Sequence, residues 1–231
     1  MRTSNDWSLL NEVDLFRGLT ADQVTWVSER VYRKTVPAGF NIITAQQPGE
    51  VVYVILSGTV KIHVEQADGT DVIIALLGAG DTVGEMSLLD SAGRCASVVT
   101  LEESALIWIN RHTFQECLQR IPAISNNLVR ILSDRLRLAN EQIQALATLD
   151  VYGRVARQLL AFAEKYGKSQ TSGDLLIPIR LTQSDIADLV GASRKRVNQV
   201  FVTYKDQRYI SVDHNSYITV HNKDALTRRI Q

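Results

Sequence analysis

Cysteine is scarce: Cys95 and Cys117 are the only two in 231 residues. Two are too few for a disulfide framework or for a cysteine-ligated iron–sulfur cluster. Net charge is absent as well, since 25 Lys and Arg balance 25 Asp and Glu. Nothing global argues for nucleic acid, so any DNA-binding face has to be local. No apolar run approaches the length needed to span a bilayer. Met1 to Trp7 is polar and lacks the apolar core of a signal peptide, and a soluble, cytoplasmic protein is expected. No Ser-His-Asp set and no metal-ligand spacing stands out. His63, His112, His214 and His221 are scattered and read as ordinary residues. Neither catalysis nor a bound metal is expected.

What is present points to an α+β chain in two halves. The apolar fraction, 45%, suits ordinary packed cores, and the length suits one large or two small domains. Residues 7–34 read as short helices, with Thr20-Ala21-Asp22-Gln23 as a capping box before Val24, Trp26 and Val27. From Val36 to about Ile109 the pattern changes to short β-rich runs punctuated by glycine. Strands are expected at Val51–Leu56, Thr59–Val64, Asp71–Leu77, Ala96–Thr100 and Ala105–Ile109, with Asp68-Gly69 as a hairpin turn. Such spacing suggests a sandwich or jelly-roll barrel.

Inside that barrel lies Val83-Gly84-Glu85-Met86-Ser87-Leu88-Leu89-Asp90-Ser91-Ala92-Gly93-Arg94-Cys95-Ala96. Gly84 lets the backbone approach a ligand. The turn Met86 to Leu89 begins with unpaired N–H groups that favour an anion. Arg94 supplies a planar fork that matches phosphate, and Glu85 an acceptor for hydroxyls. A plain surface turn with an incidental ion pair is the alternative.

Pro122 suits the first turn of a long helix to about Leu149. Ile124, Leu128, Ile131, Leu138, Ala145 and Leu149 follow a heptad rhythm, with Arg135 and Gln142 in the missing places. A second stripe, Leu132, Leu136, Ile143 and Leu146, would pack on the chain's own barrel. The first stripe is expected to be a dimer seam, with plain core as the alternative for both. Asp150 to Arg154 interrupts the pattern, and helix resumes from Val155 to Tyr166.

Thr182 then caps a short helix with Ile186, Leu189 and Val190 facing inward. Gly191 turns the chain, and Ser193 caps a second helix with Val197, Val200 and Phe201 inward. That is a helix-turn-helix unit. Arg194, Lys195, Asn198 and Gln199 on the outer face are side chains that read base edges, and Arg196 adds charge for phosphates. A solvated charged helix is the alternative. Tyr209–Val212 and Tyr217–Val220 read as a β-hairpin wing.

Taken together, these segments resemble the cyclic-AMP receptor protein and fumarate–nitrate regulator superfamily of bacterial transcription factors. Gly84-Glu85 through Arg94-Cys95-Ala96 resembles its phosphate-binding cassette. Leu149-Asp150-Val151-Tyr152-Gly153-Arg154-Val155-Ala156 resembles its hinge. Leu181 to Ala187 and Val190 to Arg194 resemble its helix-turn-helix. The resemblance implies a jelly-roll nucleotide domain with N-terminal helices at 1–120, a dimerisation helix at 121–149, a hinge at 150–154 and a winged helix-turn-helix domain at 155–231. It implies cAMP as effector, with Arg94 and nearby amides on the phosphate and Glu85 on the ribose 2′-hydroxyl. Arg135 stands near the phosphate, Ala139 and Asn140 near the base, and Ile62, Ile74, Val83, Met86, Ser87, Cys95 and Ala96 complete the lining. It implies a homodimer on a palindromic DNA operator, contacted by Thr182, Gln183, Ser184, Ser193, Arg194, Lys195, Arg196, Asn198 and Gln199. RNA polymerase is the further partner implied. The absence of an N-terminal cysteine cluster argues against the iron–sulfur branch, and no histidine or cysteine suggests the haem branch.

The chain also departs from the family pattern. Cys95 stands where Ser or Thr is common and reads as a buried, inert thiol, with an oxidisable site as the alternative. Val83 replaces an aromatic. Ala139 and Asn140 stand where Thr-Ser is common, which leaves the base open between adenine and others; cGMP, cyclic di-GMP or no effector are the alternatives. Lys195 and Gln199 replace the Glu and Arg of receptors that read TGTGA. A nucleotide-regulated enzyme or channel subunit and a DNA-bending protein are the readings outside this class.

Overall fold

The computed structural model describes residue 10 and residues 13–66, 71–90 and 92–230. Met1 to Trp7, Leu9, Asp68-Gly69 and Ser91 therefore lie outside the described residues. The chain divides into two compact units, Met1–Val64 with Leu76–Arg137 and Glu65–Ala75 with Leu138–Gln231.

A 3-10 turn at Asp14–Phe16 leads into helix α1 at Ala21–Ser28. Thr20 and Gln23 form the expected capping box, each side chain accepting from the other's backbone N–H. Strands β1 (Tyr32–Val36), β2 (Asn41–Ile43), β3 (Val51–Ser57), β4 (Val60–Glu65), β5 (Asp71–Leu77), β6 (Thr82–Val83), β7 (Ser97–Thr100) and β8 (Ser104–Asn110) follow, with the one-turn helix α2 (Met86–Leu89) between β6 and β7. They form two four-stranded sheets, β1-β8-β3-β6 and β2-β7-β4-β5. The β1–β8, β3–β8, β3–β6, β2–β7 and β4–β7 pairings are antiparallel. The chain is extended from Tyr32, where helix was expected to reach residue 34, because β1 pairs along β8 from Tyr32 opposite Trp108 to Val36 opposite Ser104.

Helix α3 (Arg111–Arg120) was not expected. Its buried face is only Thr113, Phe114 and Cys117, and Asn110 caps it by accepting from the Thr113 N–H at 2.8 Å. Helix α4 runs from Pro122 to Thr148 as expected. Its stripes, however, do not divide as expected, although Leu132 packs inward as the second stripe should and Leu138 of the first is 43% exposed. Ile124 and Leu128 are buried in the chain's own core with Leu10, Phe16, Val52, Val54, Ile107 and Phe114, and Ile131 and Leu132 pack against it. Asn127 pins this end by donating to Leu15 O and Arg17 O. Leu136, Ile143 and Leu146, expected on the barrel, are instead 63%, 66% and 50% exposed. A 3.5-residue rhythm marks an apolar face but not which surface covers it.

In the second unit, helix α5 (Val151–Tyr166) begins directly after Asp150, whose carboxylate accepts from the Gly153 N–H at 2.8 Å. The break between α4 and α5 is thus narrower than the Asp150–Arg154 interruption expected: Val151 to Arg154 is helical. Strands β9 (Lys168–Ser169) and β10 (Leu175–Ile177), helices α6 (Gln183–Leu189) and α7 (Arg194–Asp206), strands β11 (Ile210–Val212) and β12 (Ile218–Val220) and helix α8 (Lys223–Thr227) complete the chain. The sheet order is β11-β12-β10-β9. Val155, Leu159, Ile186, Leu189, Val197, Val200, Phe201 and Tyr204 fill the core of this unit.

Ile124→Ala is expected to cost about 2–5 kcal/mol of unfolding free energy, the range for emptying a core aliphatic site. Denaturant unfolding checks this; a loss near zero would return Ile124 to an exposed seam.

Candidate functional site

The stretch from Gly84 to Arg94 closes on itself. Gly84 sits at φ +87°, and a Cβ there would stand 2.5 Å from Arg94 Nη1 and 2.8 Å from Ile43 Cδ1. Only glycine lets the arginine reach back over the strand end. Arg94 Nη1 donates to Gly84 O at 2.7 Å and to Ser87 Oγ at 2.9 Å, and Nη2 donates to Val51 O at 2.5 Å. The guanidinium carries five N–H donors; its Nε–H makes no hydrogen bond to a described residue. Arg94 is 9% exposed, and this burial lowers its pKa from the ordinary value. The Tyr53 phenol opposes that shift, Arg111 adds to it, and Glu85 opposes it. An anion placed here would relieve a buried cation that the protein leaves only partly compensated.

Glu85 is 1% exposed. Its Oε1 accepts from Arg135 Nη1 at 2.5 Å, and Arg135 also donates to Thr82 O. Glu85 Oε2 is buried with no hydrogen-bond partner among the described residues. An ionised carboxylate oxygen left dry is costly, and a hydroxyl donor would satisfy it.

Arg111 was not singled out from the sequence. It donates to Gly49 O through Nε and Nη2 and to Ser87 O through Nη2, bracing α2 from behind. It does so from the first residue of α3, a helix the apolar pattern does not reveal. Gly49 is tight for the same reason, since a Cβ there would meet Ser87 Oγ at 2.2 Å.

The helix-turn-helix forms as its caps predict. Thr182 and Asp185 make a capping box on α6, and Ser193 accepts from the Arg196 N–H to cap α7. Gly191 turns the chain at φ +60°. Ser193, Arg194, Lys195, Arg196, Asn198 and Gln199 are exposed, and Thr182, Gln183 and Ser184 are partly exposed. An open cleft of about 260 Å³ beside them is lined by Thr182, Gln183, Ser184, Arg194, Lys205 and Ser216, among others. Arg196 turns along its own helix: its Nη1 donates to Gln199 Oε1 at 3.2 Å, and its guanidinium lies 5.9 Å from the Tyr152 ring centre.

Residues 33–121 match the family model of the cyclic nucleotide-binding domain, and residues 153–229 match that of the Crp-like helix-turn-helix domain. A CRP-like cAMP-activated global transcriptional regulator of Mycobacterium tuberculosis is 32% identical over 96% of this chain and 98% of its own. The chain belongs to the cyclic-AMP receptor protein and fumarate–nitrate regulator superfamily. The crystal structure of the Thermus thermophilus catabolite activator protein is 27% identical with a TM-score of 0.52, covering 94% of this chain and 98% of that one. The c-di-GMP responsive global regulator CLP of Xanthomonas campestris has a TM-score of 0.68 over 87% of this chain and 99% of that one, but at 23% identity the likeness bears on the fold alone.

As a member of this superfamily, the chain is a DNA-binding transcription regulator with a cyclic-nucleotide domain, not an enzyme. The structure brings Gly84, Glu85, Ser87, Arg94 and Arg135 together, with Val83 and Ala96 buried beside them and Ile62 half-buried. Met86 is exposed. Ile74, Ala139 and Asn140 belong to the second unit and are exposed. Cys95, expected to be buried, is also exposed; the buried thiol is Cys117, whose pKa burial pushes up to about 11. Nor is His221 an isolated residue. Its Nε2 lies 2.8 Å from Ser211 Oγ and its Nδ1 3.0 Å from Asp174 Oδ2, so a Ser-His-Asp set the sequence did not reveal forms across the wing sheet. In a regulator this trio links strands: Asp174 precedes β10, Ser211 lies in β11, and His221 follows β12.

Arg135→Ala is expected to destabilise the protein by about 3 kcal/mol, since it strands a buried carboxylate. Adding Glu85→Gln should recover a large part of that loss in thermal or denaturant unfolding. Two purely additive losses would mean the pair is not coupled.

Proposed function

We propose that this chain is a cytoplasmic, homodimeric transcription regulator whose affinity for a palindromic operator is set by cAMP, with RNA polymerase as its further partner. The observation that carries this reading is the buried Glu85 carboxylate with Oε2 unpartnered, in the same cassette as the buried Arg94. A cyclic nucleotide offers a hydroxyl for the first and an anionic phosphate for the second. Arg94 would hold the phosphate, Glu85 Oε2 would accept from the ribose hydroxyl, and Arg135 would keep Oε1 occupied so that only one acceptor faces the sugar. Asn140 can both donate to and accept from an adenine edge, and the cAMP-activated relative from Mycobacterium tuberculosis supports that base. A ligand acts on DNA binding only through a difference in affinity between two arrangements of the protein.

The dimer would form along α4, on different positions from those the sequence alone suggests. Val129, Leu132, Leu136, Ala139, Ile143 and Leu146 alternate three and four apart, and all but the half-buried Leu132 are exposed. That is the rhythm of a coiled-coil seam, and Val129, Leu136 and Ile143 in it are more than 60% exposed. Pairing two copies there would present two α7 helices, which bind half-sites about 34 Å apart in helix-turn-helix dimers.

Arg94→Ala is expected to abolish cAMP binding in calorimetry and to remove any effect of cAMP on DNA affinity. Titrating the wild type with cAMP, cGMP and cyclic di-GMP in parallel separates the effectors, and an Arg94→Ala protein with a full nucleotide response would overturn the site. At the DNA, Lys195 lies next to Arg194 on the exposed face, and an ammonium cannot accept from cytosine N4. Operator selection should return a half-site that differs from TGTGA where a carboxylate would read cytosine; recovery of TGTGA-N6-TCACA as the preferred site would contradict this.

A further inference from the structure

The turn between α6 and α7 is held by side chains from outside the motif. A helix leaves its last carbonyls without intrahelical partners. Here Leu189 O accepts from Gln142 Nε2 at 2.8 Å, Val190 O from Arg154 Nε at 2.8 Å, and Gly191 O from Arg154 Nη2 at 3.4 Å. Arg154 also donates to Leu149 O at 3.0 Å, tying the end of α4 to the same turn. Beside these, Arg157 Nη2 and Glu141 Oε2 pair at 2.8 Å between α5 and α4. Leu146, one turn beyond Gln142, comes so close that a Cβ on Gly191 would lie 3.3 Å from its Cδ2. All of these residues belong to the second unit.

Arg154 belongs to α5, the helix that continues into the DNA-binding half. Gln142 is different: it belongs to α4 and sits one residue before Ile143 of the exposed stripe. We propose that the Gln142 amide is the positioning contact through which α4 sets the helix-turn-helix, and that it carries much of the coupling between nucleotide and DNA. Its bond to Leu189 O grips the chain four residues before Ser193, the cap of α7. A rotation or slide of α4 that pairs its stripe with a second copy displaces Gln142 and draws the 189–191 turn with it. Gln142 plays no part in holding the nucleotide, and the proposal rests on the reading of the chain as a nucleotide-responsive regulator.

The test uses the full-length protein, cAMP and an operator duplex obtained by selection. Gln142→Glu keeps the side-chain shape but replaces the donor with an acceptor facing a carbonyl. Gln142→Leu removes the donor without adding charge, and Gln142→Lys restores a donor on a side chain long enough to reach. Coupling is the ratio of DNA dissociation constants without and with saturating cAMP. Both donor-less variants should lower that ratio about fivefold or more, on the scale of ordinary allosteric coupling. They should leave the cAMP dissociation constant within about twofold, and Gln142→Lys should return most of the ratio. An unchanged ratio in a folded Gln142→Glu or Gln142→Leu protein overturns the proposal, as does a Gln142→Lys protein no better than Gln142→Leu. A wild-type ratio of one would instead overturn the functional reading beneath it.

Discussion

A carboxylate that is almost fully buried has to be met by a charge, and in this protein Glu85 is met by Arg135. Most of the candidate site depends on that pair. Arg135 reaches Glu85 from α4 and at the same time caps the end of β6 through Thr82 O. Glu85 is the N-cap of α2, whose Ser87 hydroxyl and carbonyl hold Arg94 and Arg111. Through one ion pair, the position of the long helix and the shape of the cassette become a single problem. Buried pairs of this kind contribute little net stability, but they are costly to break. That asymmetry suits a regulator, because it penalises intermediate arrangements more than it rewards either end state.

The parts legible in the sequence are those where local chemistry has one good solution. Thr20, Thr182 and Ser193 each stand before a helix with a suitable residue behind them, and all three cap as read. Gly84 and Gly191 both adopt positive φ. The inward residues of α6 and α7 follow from helical period and burial together. The first strand and α3 were illegible for the same reason, since each buries few side chains. β1 is mostly exposed, so it carries no apolar alternation, and the ten residues of α3 bury only three side chains.

Errors of assignment arise where a pattern names a face but not its partner. The heptad counted from Ile124 is real, yet its first turns lie in the chain's own core, and the exposed stripe is the one through Val129, Leu136 and Ile143. Arg111 escaped notice because its role is to donate to the carbonyls of Gly49 and Ser87, contacts that only the fold creates. Cys95 was misjudged in the same way: cysteine is usually buried, but this one follows a buried arginine on the outward side of the chain. Asp174 is distant in sequence from Ser211 and His221, and the three meet because β10 and β11 both pair with β12.

The central claim is that the open acceptor at Glu85 takes a ribose hydroxyl. Calorimetry comparing cAMP with 2′-deoxy-cAMP tests it directly, because the two ligands differ by that one donor. A hydrogen bond to a buried charged group is worth about 1.5–3 kcal/mol, so the deoxy compound should bind about 10–150-fold more weakly to the wild type. Equal affinities for the two nucleotides would contradict the account.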